Sequence, residues 1–249
     1  MSEALATLEG RFSIQAALTA ESRDFEAIYL DDTRPDRRGH LAQLIQRAES
    51  RGVRVERVGP DVIDGYASGT SHGGIIARVG PRKTVDLGDL LPPEGPAFIV
   101  MIDGVEDPFN FGQSVRALYA AGADGLVLPP RNWLSAADIV ARASAGASER
   151  IPTAVVESAP VAAQFFRSRG LAVACTDDKG ATPLYAADLT GPLFLLIGGE
   201  RRGITRSFVR QADLVLGVPY GRKFGASLGT AAAAAVVAFE VLRQRGTER

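Results

Sequence analysis

The sequence contains little cysteine and histidine, and this shortage excludes several kinds of site. A single cysteine among 249 residues rules out an intramolecular disulfide and a zinc site built from several cysteines. That residue, Cys175, lies in the apolar run LAVAC and is predicted to be a small core residue. Two histidines without a cysteine partner do not make a metal site, so no metal is expected. The cysteine usage favours a reducing, cytoplasmic location.

Long apolar runs and a basic leader are also missing. The longest candidate segment, AAAAAVVAF at 231–239, is too short to cross a bilayer. The N-terminal segment MSEALATLEGR carries neither a basic region nor a long apolar stretch. We therefore expect neither a membrane span nor a signal peptide.

The chain lacks a large net charge, since 28 Lys and Arg residues oppose 29 Asp and Glu residues. This balance argues against a nonspecific nucleic-acid coat but leaves room for a local basic face. Residues 201–223 contain six positive residues and one negative residue, Asp213. This stretch is either a solvated face or a nucleic-acid contact surface. Within it Tyr220, and just beyond it Phe224, could pack against bases, in the core or at an interface.

The apolar pattern predicts an α/β protein with two blocks. Residues 1–80 alternate helical and strand patterns and predict a small α/β domain. Residues 81–96 hold four prolines and predict a linker. Residues 97–249 contain continuous apolar runs separated by helical patterns, which is typical of a parallel sheet buried on both faces. The runs are 97–102, 125–128, 153–156, 171–175, 193–198 and 214–218. A final helix is predicted to start near Ser227.

Ligands of open α/β sheets bind beyond the carboxyl ends of the strands, so the loops after three of these runs are candidate sites. In the first loop, Asn110 is predicted to cap a helix that carries Arg116. A helix N-terminus with an arginine suits a phosphate, although a plain cap with a solvated arginine remains open.

The second loop, GGERRG at 198–203, is rich in glycine but matches neither the Rossmann nor the P-loop pattern. Glu200 could form a structural ion pair or orient a substrate. The third loop brings Arg222 and Lys223 close in sequence to Ser227.

Taken in order, these loops resemble the three motifs of the SpoU (TrmH) family of RNA ribose methyltransferases in the SPOUT superfamily. Asn110, Gly112 and Arg116 match the first motif, N-x-G-x-x-x-R. LLIGGERRGI matches the second, with Glu200 as its acidic residue, and VPYGRKFGASLGTAAAAAVVAFE resembles the third. The segment ASAGASERIP (143–152) and the first block, which ends in SHGGIIARV, also resemble parts of this family.

The resemblance implies a small ribosomal-protein-like RNA substrate-binding domain over 1–80, a linker over 81–96, and a parallel-sheet SPOUT domain with a deep trefoil knot over 97–249. It implies a homodimer formed through the C-terminal domain. The implied reaction is S-adenosylmethionine-dependent 2′-O-methylation of a ribose in RNA. Ribosomal RNA is favoured because members acting on transfer RNA usually lack the N-terminal domain. A transfer-RNA enzyme and a catalytically impaired RNA-binding member are the alternatives.

The resemblance also assigns site residues. Backbone groups near Gly198, Val218 and Leu228 would hold the cofactor. Catalytic roles would fall to four side chains, those of Asn110, Arg116, Glu200 and Ser227. One departure stands out, because Gly229 follows Ser227-Leu228 where the family usually has asparagine. Thr230 is the nearest polar substitute.

Overall fold

The computed structural model describes residues 5–34, 39, 41–130, 136–177, 181–199 and 203–246. The chain divides into two compact units. The first unit combines Met1–Lys83 with Asn132–Arg150, and the second combines Thr84–Arg131 with Ile151–Arg249. A segment from the middle of the sequence thus belongs to the N-terminal unit.

The helices and strands follow each other in chain order. Up to residue 83 they are β1 (Ala6–Glu9), α1 (Arg11–Ala20), β2 (Phe25–Asp31), α2 (Ala42–Ser50), β3 (Arg54–Val58), α3 (Pro60–Tyr66) and β4 (Ile75–Val79). Up to residue 155 they are β5 (Phe98–Asp103), α4 (Pro108–Ala120), β6 (Gly125–Leu128), α5 (Ala137–Ala143), α6 (Ala147–Arg150) and β7 (Thr153–Val155). The last are α7 (Ala159–Arg167), β8 (Ala172–Thr176), β9 (Thr182–Pro183), β10 (Leu193–Gly198), α8 (Arg206–Gln211), β11 (Leu214–Gly217) and α9 (Thr230–Arg245).

The first unit is built on a mixed sheet with the strand order β1-β4-β2-β3. Alternate residues of a strand point to opposite faces, so Leu8, Ile28 and Ile75 share the face on which α1 packs. Ala137 and Ala141 of α5 belong to the same buried cluster. The segment after β6 therefore completes the core of the N-terminal unit.

A buried ion pair fixes α6 within this unit. The Nε and Nη2 atoms of Arg23 each donate to a carboxylate oxygen of Glu149 at 2.9 Å. The hydroxyl of Ser22 donates to the same carboxylate at 2.6 Å. Burial alone would raise the pKa of Glu149, but the charge and hydrogen bonds of Arg23 outweigh it and lower that pKa. Because this ion pair is buried away from water, loss of one partner would leave the other charged and unpaired in the protein interior.

The second unit contains a seven-stranded sheet in the order β7-β6-β5-β10-β8-β11-β9. All its neighbouring strands run parallel, which confirms the predicted parallel sheet. Each predicted apolar run lies on one of these strands. One face packs against α7 and α8 through Phe166 and Phe208, and α9 packs against α4 and β10 outside that cluster.

Cys175 lies on β8 inside this core and is fully buried, as predicted. Burial raises the pKa of its thiol to about 11. The thiol thus stays protonated at neutral pH and serves packing, because only the thiolate is a good nucleophile.

Three local features differ from the sequence expectations. Helix α4 begins at Pro108, and its cap is Asp107, whose Oδ1 accepts from the backbone N–H of Asn110 at 2.7 Å. Asn110 is therefore in the first turn and not the cap. Helix α9 begins at Thr230 rather than at Ser227. The short elements β1, α3 and β9 were not predicted.

Replacing Glu149 by Gln is expected to lower the free energy of unfolding at pH 7 by about 3–5 kcal/mol, because Arg23 stays charged and buried. The folded-state pKa of Glu149 is lowered, so the parent's advantage is present above the usual carboxyl pKa and shrinks as the pH falls below about 4.5. Urea unfolding at a series of pH values measures both effects. The exposed Glu49→Gln is the control and should change stability by less than about 0.5 kcal/mol. Equal stability of parent and Glu149→Gln at pH 7 would contradict the role of the pair.

Candidate functional site

Strands β5 and β10 end side by side in the middle of the seven-stranded sheet, at the edge formed by the carboxyl ends of its strands. Strands β5 and β10 are neighbours, and Asp103 is the register partner of Gly198. Beyond them the backbones nearly touch, because a Cβ atom built on Gly199 would lie 1.9 Å from the carbonyl oxygen of Gly104. Gly104 itself has φ +76°, which favours glycine. This contact needs a glycine on each strand end.

The chain then leaves these two ends in different directions. After β5 it enters α4, which packs against α9, whereas after β10 it enters α8, whose Phe208 joins the cluster on the other face. Neighbouring parallel strands whose connections diverge in this way leave a crevice at their carboxyl ends, and ligands of α/β sheets bind in such crevices. The edge of β5 and β10 is therefore the candidate site.

The first loop delivers Asn110 and Arg116 on α4. Asn110 is half-buried in the first turn, and its carbonyl accepts from the hydroxyl of Ser114 at 2.8 Å. Arg116 is exposed. Six residues turn an α-helix by about 600°, so the two side chains leave α4 about 120° apart rather than from one face.

The second loop starts at Gly198, which is half-buried at the end of β10. A Cβ atom on Gly198 would lie 2.8 Å from the side chain of Ile204, so the returning loop packs directly on this glycine. Glu200, which was predicted to be the acidic residue of the site, lies outside the described residues, as do Arg201 and Arg202.

The third loop returns from β11 to the end of β10. The buried hydroxyl of Thr230, in the first turn of α9, donates to the carbonyl of Gly198 at 3.4 Å. The backbone N–H of Leu228 donates to the hydroxyl of Tyr220 at 2.9 Å. Val218 and Leu228 are half-buried, and Ser227 is exposed. The structure thus brings the second and third loops together through Thr230.

Sequence reasoning underrated two contacts at this edge. Thr230 was only a substitute for a missing asparagine, yet it ties α9 to β10. The glycine contact between Gly104 and Gly199 was not foreseen. Its signal was present, since a glycine follows each of two neighbouring apolar runs within two residues.

Basic side chains surround the third loop and α8. Arg206, Arg210, Arg222 and Lys223 are exposed. The acidic residue of this stretch, Asp213, is engaged elsewhere, because it pairs with Arg167 at 3.1 Å and accepts from the backbone N–H of Val173 at 2.8 Å. The basic stretch therefore keeps a positive surface.

The described part of the chain holds neither a metal-binding cluster nor a membrane-spanning helix. No group of three or more His, Cys, Asp or Glu residues there is placed to hold a metal ion. None of its helices has the length and apolar character needed to cross a membrane.

Comparison with known families identifies both blocks. Residues 97–239 match the model of the SpoU rRNA Methylase family. Residues 7–85 match the model described as RNA 2′-O ribose methyltransferase substrate binding. The chain belongs to the SpoU rRNA methylase family and is an RNA methyltransferase.

Relatives and solved structures agree with this assignment. The chain is 30% identical to the 23S rRNA (guanosine-2′-O-)-methyltransferase RlmB of Shewanella oneidensis, over 95% of this chain and 96% of that protein. It is 31% identical to RlmB of Ralstonia nicotianae, over 96% of this chain and 95% of that protein. The SpoU methyltransferase AviRb from Streptomyces viridochromogenes, solved in complex with AdoMet, has the same fold, with a TM-score of 0.80, 22% identity and coverage of 97% and 90% of the two chains.

Replacing Gly199 by Ala is expected to lower the free energy of unfolding by about 1–3 kcal/mol, because the methyl group would overlap the backbone of Gly104 and force the strand ends apart. Urea unfolding of the purified protein measures this loss. Gly191→Ala is the matched control, since a Cβ atom there meets nothing within 4 Å. Two variants of equal stability would show that the strand ends do not need their close approach.

Proposed function

We propose that this protein transfers a methyl group from S-adenosylmethionine to the 2′-hydroxyl of a ribose in ribosomal RNA. The observation that carries the proposal is the meeting of the family's second and third loops, through Thr230 and Gly198, beside the end of β5. The substrate class follows from relatives that match over nearly their whole length and are named 23S rRNA (guanosine-2′-O-)-methyltransferases. The target is therefore a guanosine ribose of 23S rRNA, and the protein acts in the cytoplasm.

The residues of the edge suit this cofactor. An adenine ring needs an apolar slot with a few fixed polar atoms. This edge has the backbone of Gly198 next to Ile204, and the half-buried Val218 and Leu228 lie on the loop that Thr230 joins to Gly198. Gly198, Val218 and Leu228 hold the cofactor mainly by backbone groups. When bound, S-adenosylmethionine supplies an electrophilic methyl group on a good leaving group.

The protein side chains position the acceptor and stabilise its developing charge. A guanidinium is a poor base at neutral pH, so Arg116 binds the phosphate next to the target ribose and stabilises negative charge on the attacking oxygen. The proton of the 2′-hydroxyl passes to phosphate or water. Asn110 and Glu200 keep Arg116 and the ribose in register, and the hydroxyl of Ser227 contacts substrate or cofactor. Positioning supplies much of the rate.

The domain division and the chain path complete the proposal. Along the sequence the RNA substrate-binding domain covers 1–80, the linker 81–96 and the methyltransferase domain 97–249, but α5 and α6 of the last range pack in the N-terminal unit. The methyltransferase domain is knotted at its C-terminal end. Helix α9 contacts the segment leading into β10, since the side chain of Gln244 donates to the backbone carbonyl of Ala187 at 2.9 Å and accepts from the N–H of Leu189 at 2.8 Å.

The protein forms a homodimer through its C-terminal domain. The exposed side of α4 carries two large aromatic residues, Phe109 and Tyr119, and α9 exposes Phe239. Clusters of large exposed apolar side chains mark interaction surfaces. Arg116 lies seven residues after Phe109, two turns along the same face, so a dimer formed there brings both subunits to the site.

Deletion of the gene is expected to abolish ribose methylation at one position of 23S rRNA, as measured by methylation mapping of total RNA from the deletion strain and its parent. A plasmid copy should restore the mark, and a copy carrying Arg116→Ala should not. Loss of a methylated position in transfer RNA instead would show that the substrate is transfer RNA and not ribosomal RNA. An unchanged methylation map would favour the catalytically impaired RNA-binding alternative.

Arg116→Ala is expected to lower kcat by about 10²–10³-fold, because one charged donor to the developing oxyanion is lost. Its affinity for S-adenosylmethionine, measured by isothermal titration, should stay near that of the parent. Arg169→Ala removes an exposed arginine that stacks on Phe165 and serves as the control for loss of surface charge. Loss of cofactor binding in Arg116→Ala would contradict its assignment to the acceptor side.

A further inference from the structure

The loop between β11 and α9 is held in place by contacts among its own residues. Its residues Pro219–Ser227 are all exposed, yet the loop is closed by a side chain, because the hydroxyl of Tyr220 accepts from the backbone N–H of Leu228. The ring of Phe224 packs edge-on against Tyr220 with ring centroids 6.1 Å apart. The base of the loop is therefore held by Tyr220, and Phe224 rests against it.

Phe224 is the unexplained member of this pair. Tyr220 bonds the backbone of Leu228, whereas Phe224 is 63% exposed and meets the ring of Tyr220 edge-on. A large aromatic ring left in water gains free energy when a flat partner covers it. The exposed face of Phe224 is thus available for stacking.

The charged residues next to Phe224 indicate which kind of ligand would cover its ring. Arg222 and Lys223 immediately precede it and are exposed. No acidic residue occurs between Asp213 and Glu240, so nothing in this part of the sequence offsets their charge. An aromatic ring beside two cations matches the sites at which proteins bind single-stranded nucleic acid, where a base stacks on the ring and the cations contact phosphates.

The position of the loop places this surface next to the methyl-transfer site. The loop ends at Thr230, whose hydroxyl donates to the carbonyl of Gly198. Phe224 is four residues before Leu228, so the two lie no more than about 14 Å apart. A nucleotide bound at the edge of β5 and β10 would have its neighbours beside Phe224.

We infer that Phe224 is a substrate-binding residue that stacks on a base near the methylated ribose, while Arg222 and Lys223 hold the adjoining phosphates. Sequence-specific RNA recognition targets single-stranded loops, whose unstacked bases can stack on aromatic side chains. The inference rests on the proposed function and adds to it the loop that binds the RNA next to the methylated nucleotide.

The test measures binding of a fluorescein-labelled single-stranded RNA and turnover on a protein-free 23S rRNA transcript. Phe224→Ala should weaken RNA binding and raise KM for RNA by about tenfold, because one stacking contact is lost. Phe224→Trp should bind like the parent, and its added fluorescence should be quenched by RNA. The control Tyr185→Ala removes a ring that is 60% exposed outside the loop and should leave binding within about twofold of the parent. S-adenosylmethionine affinity should be the same in all variants.

A charge variant tests the phosphate contacts separately. Arg222→Ala should lower the slope of log affinity against log salt by about 0.7, the value for one phosphate contact on a single strand. If the parent binds RNA and Phe224→Ala binds it equally well, the inference is wrong and the proposed function stands. If Phe224→Ala instead converts a dimer to a monomer in light scattering, the ring belongs to a subunit interface and the inference is wrong. Failure of the parent to bind any RNA overturns both.

Discussion

The close approach of two backbones at the ends of β5 and β10 is the constraint on which the candidate site depends. Gly199 lies so near the carbonyl of Gly104 that no side chain fits between them. Because the strands stay in register up to Asp103 and Gly198, the loops that follow start from the same point. Thr230 then ties the start of α9 to that point, which fixes the third loop as well. The close contact between Gly104 and Gly199 thus fixes where the first two motif loops start, and Thr230 joins the third loop to the same place.

The sheet of the second unit could be predicted from the sequence because its strands are buried on both faces. Runs such as 193–198 are apolar at every position, and no surface helix of that length shows the same pattern. The first strand of the N-terminal unit escaped prediction for the opposite reason. Its residues Thr7 and Glu9 alternate with apolar ones, and the buried carboxylate of Glu9 pairs with Arg142 at 3.0 Å, 133 positions away, and accepts from the backbone N–H of Ser68. The sequence around Glu9 cannot predict a partner that is so far along the chain.

The sequence could indicate the elements of the candidate site but not the contacts between them. Spacing and resemblance led to Asn110, Arg116, Gly198 and Leu228, which the structure places on α4, at the end of β10 and just before α9. They placed the cap of α4 at Asn110, since asparagine is a good cap, whereas Asp107 occupies that position and leaves Asn110 in the first turn. They could not reveal that Tyr220 bonds the backbone of Leu228, because this contact depends on the path of an irregular loop.

The placement of α5 and α6 has a consequence for the order in which the protein is made. The core of the N-terminal unit includes Ala137 and Ala141, and the buried carboxylate that neutralises Arg23 belongs to Glu149. A ribosome that has released only the first eighty or so residues has therefore not yet delivered the pieces that close this unit. Domains that fold during synthesis usually finish from the N-terminal end. Here the N-terminal unit must wait until β5, α4 and β6 have emerged, so it is completed only after the synthesis of the second unit has begun.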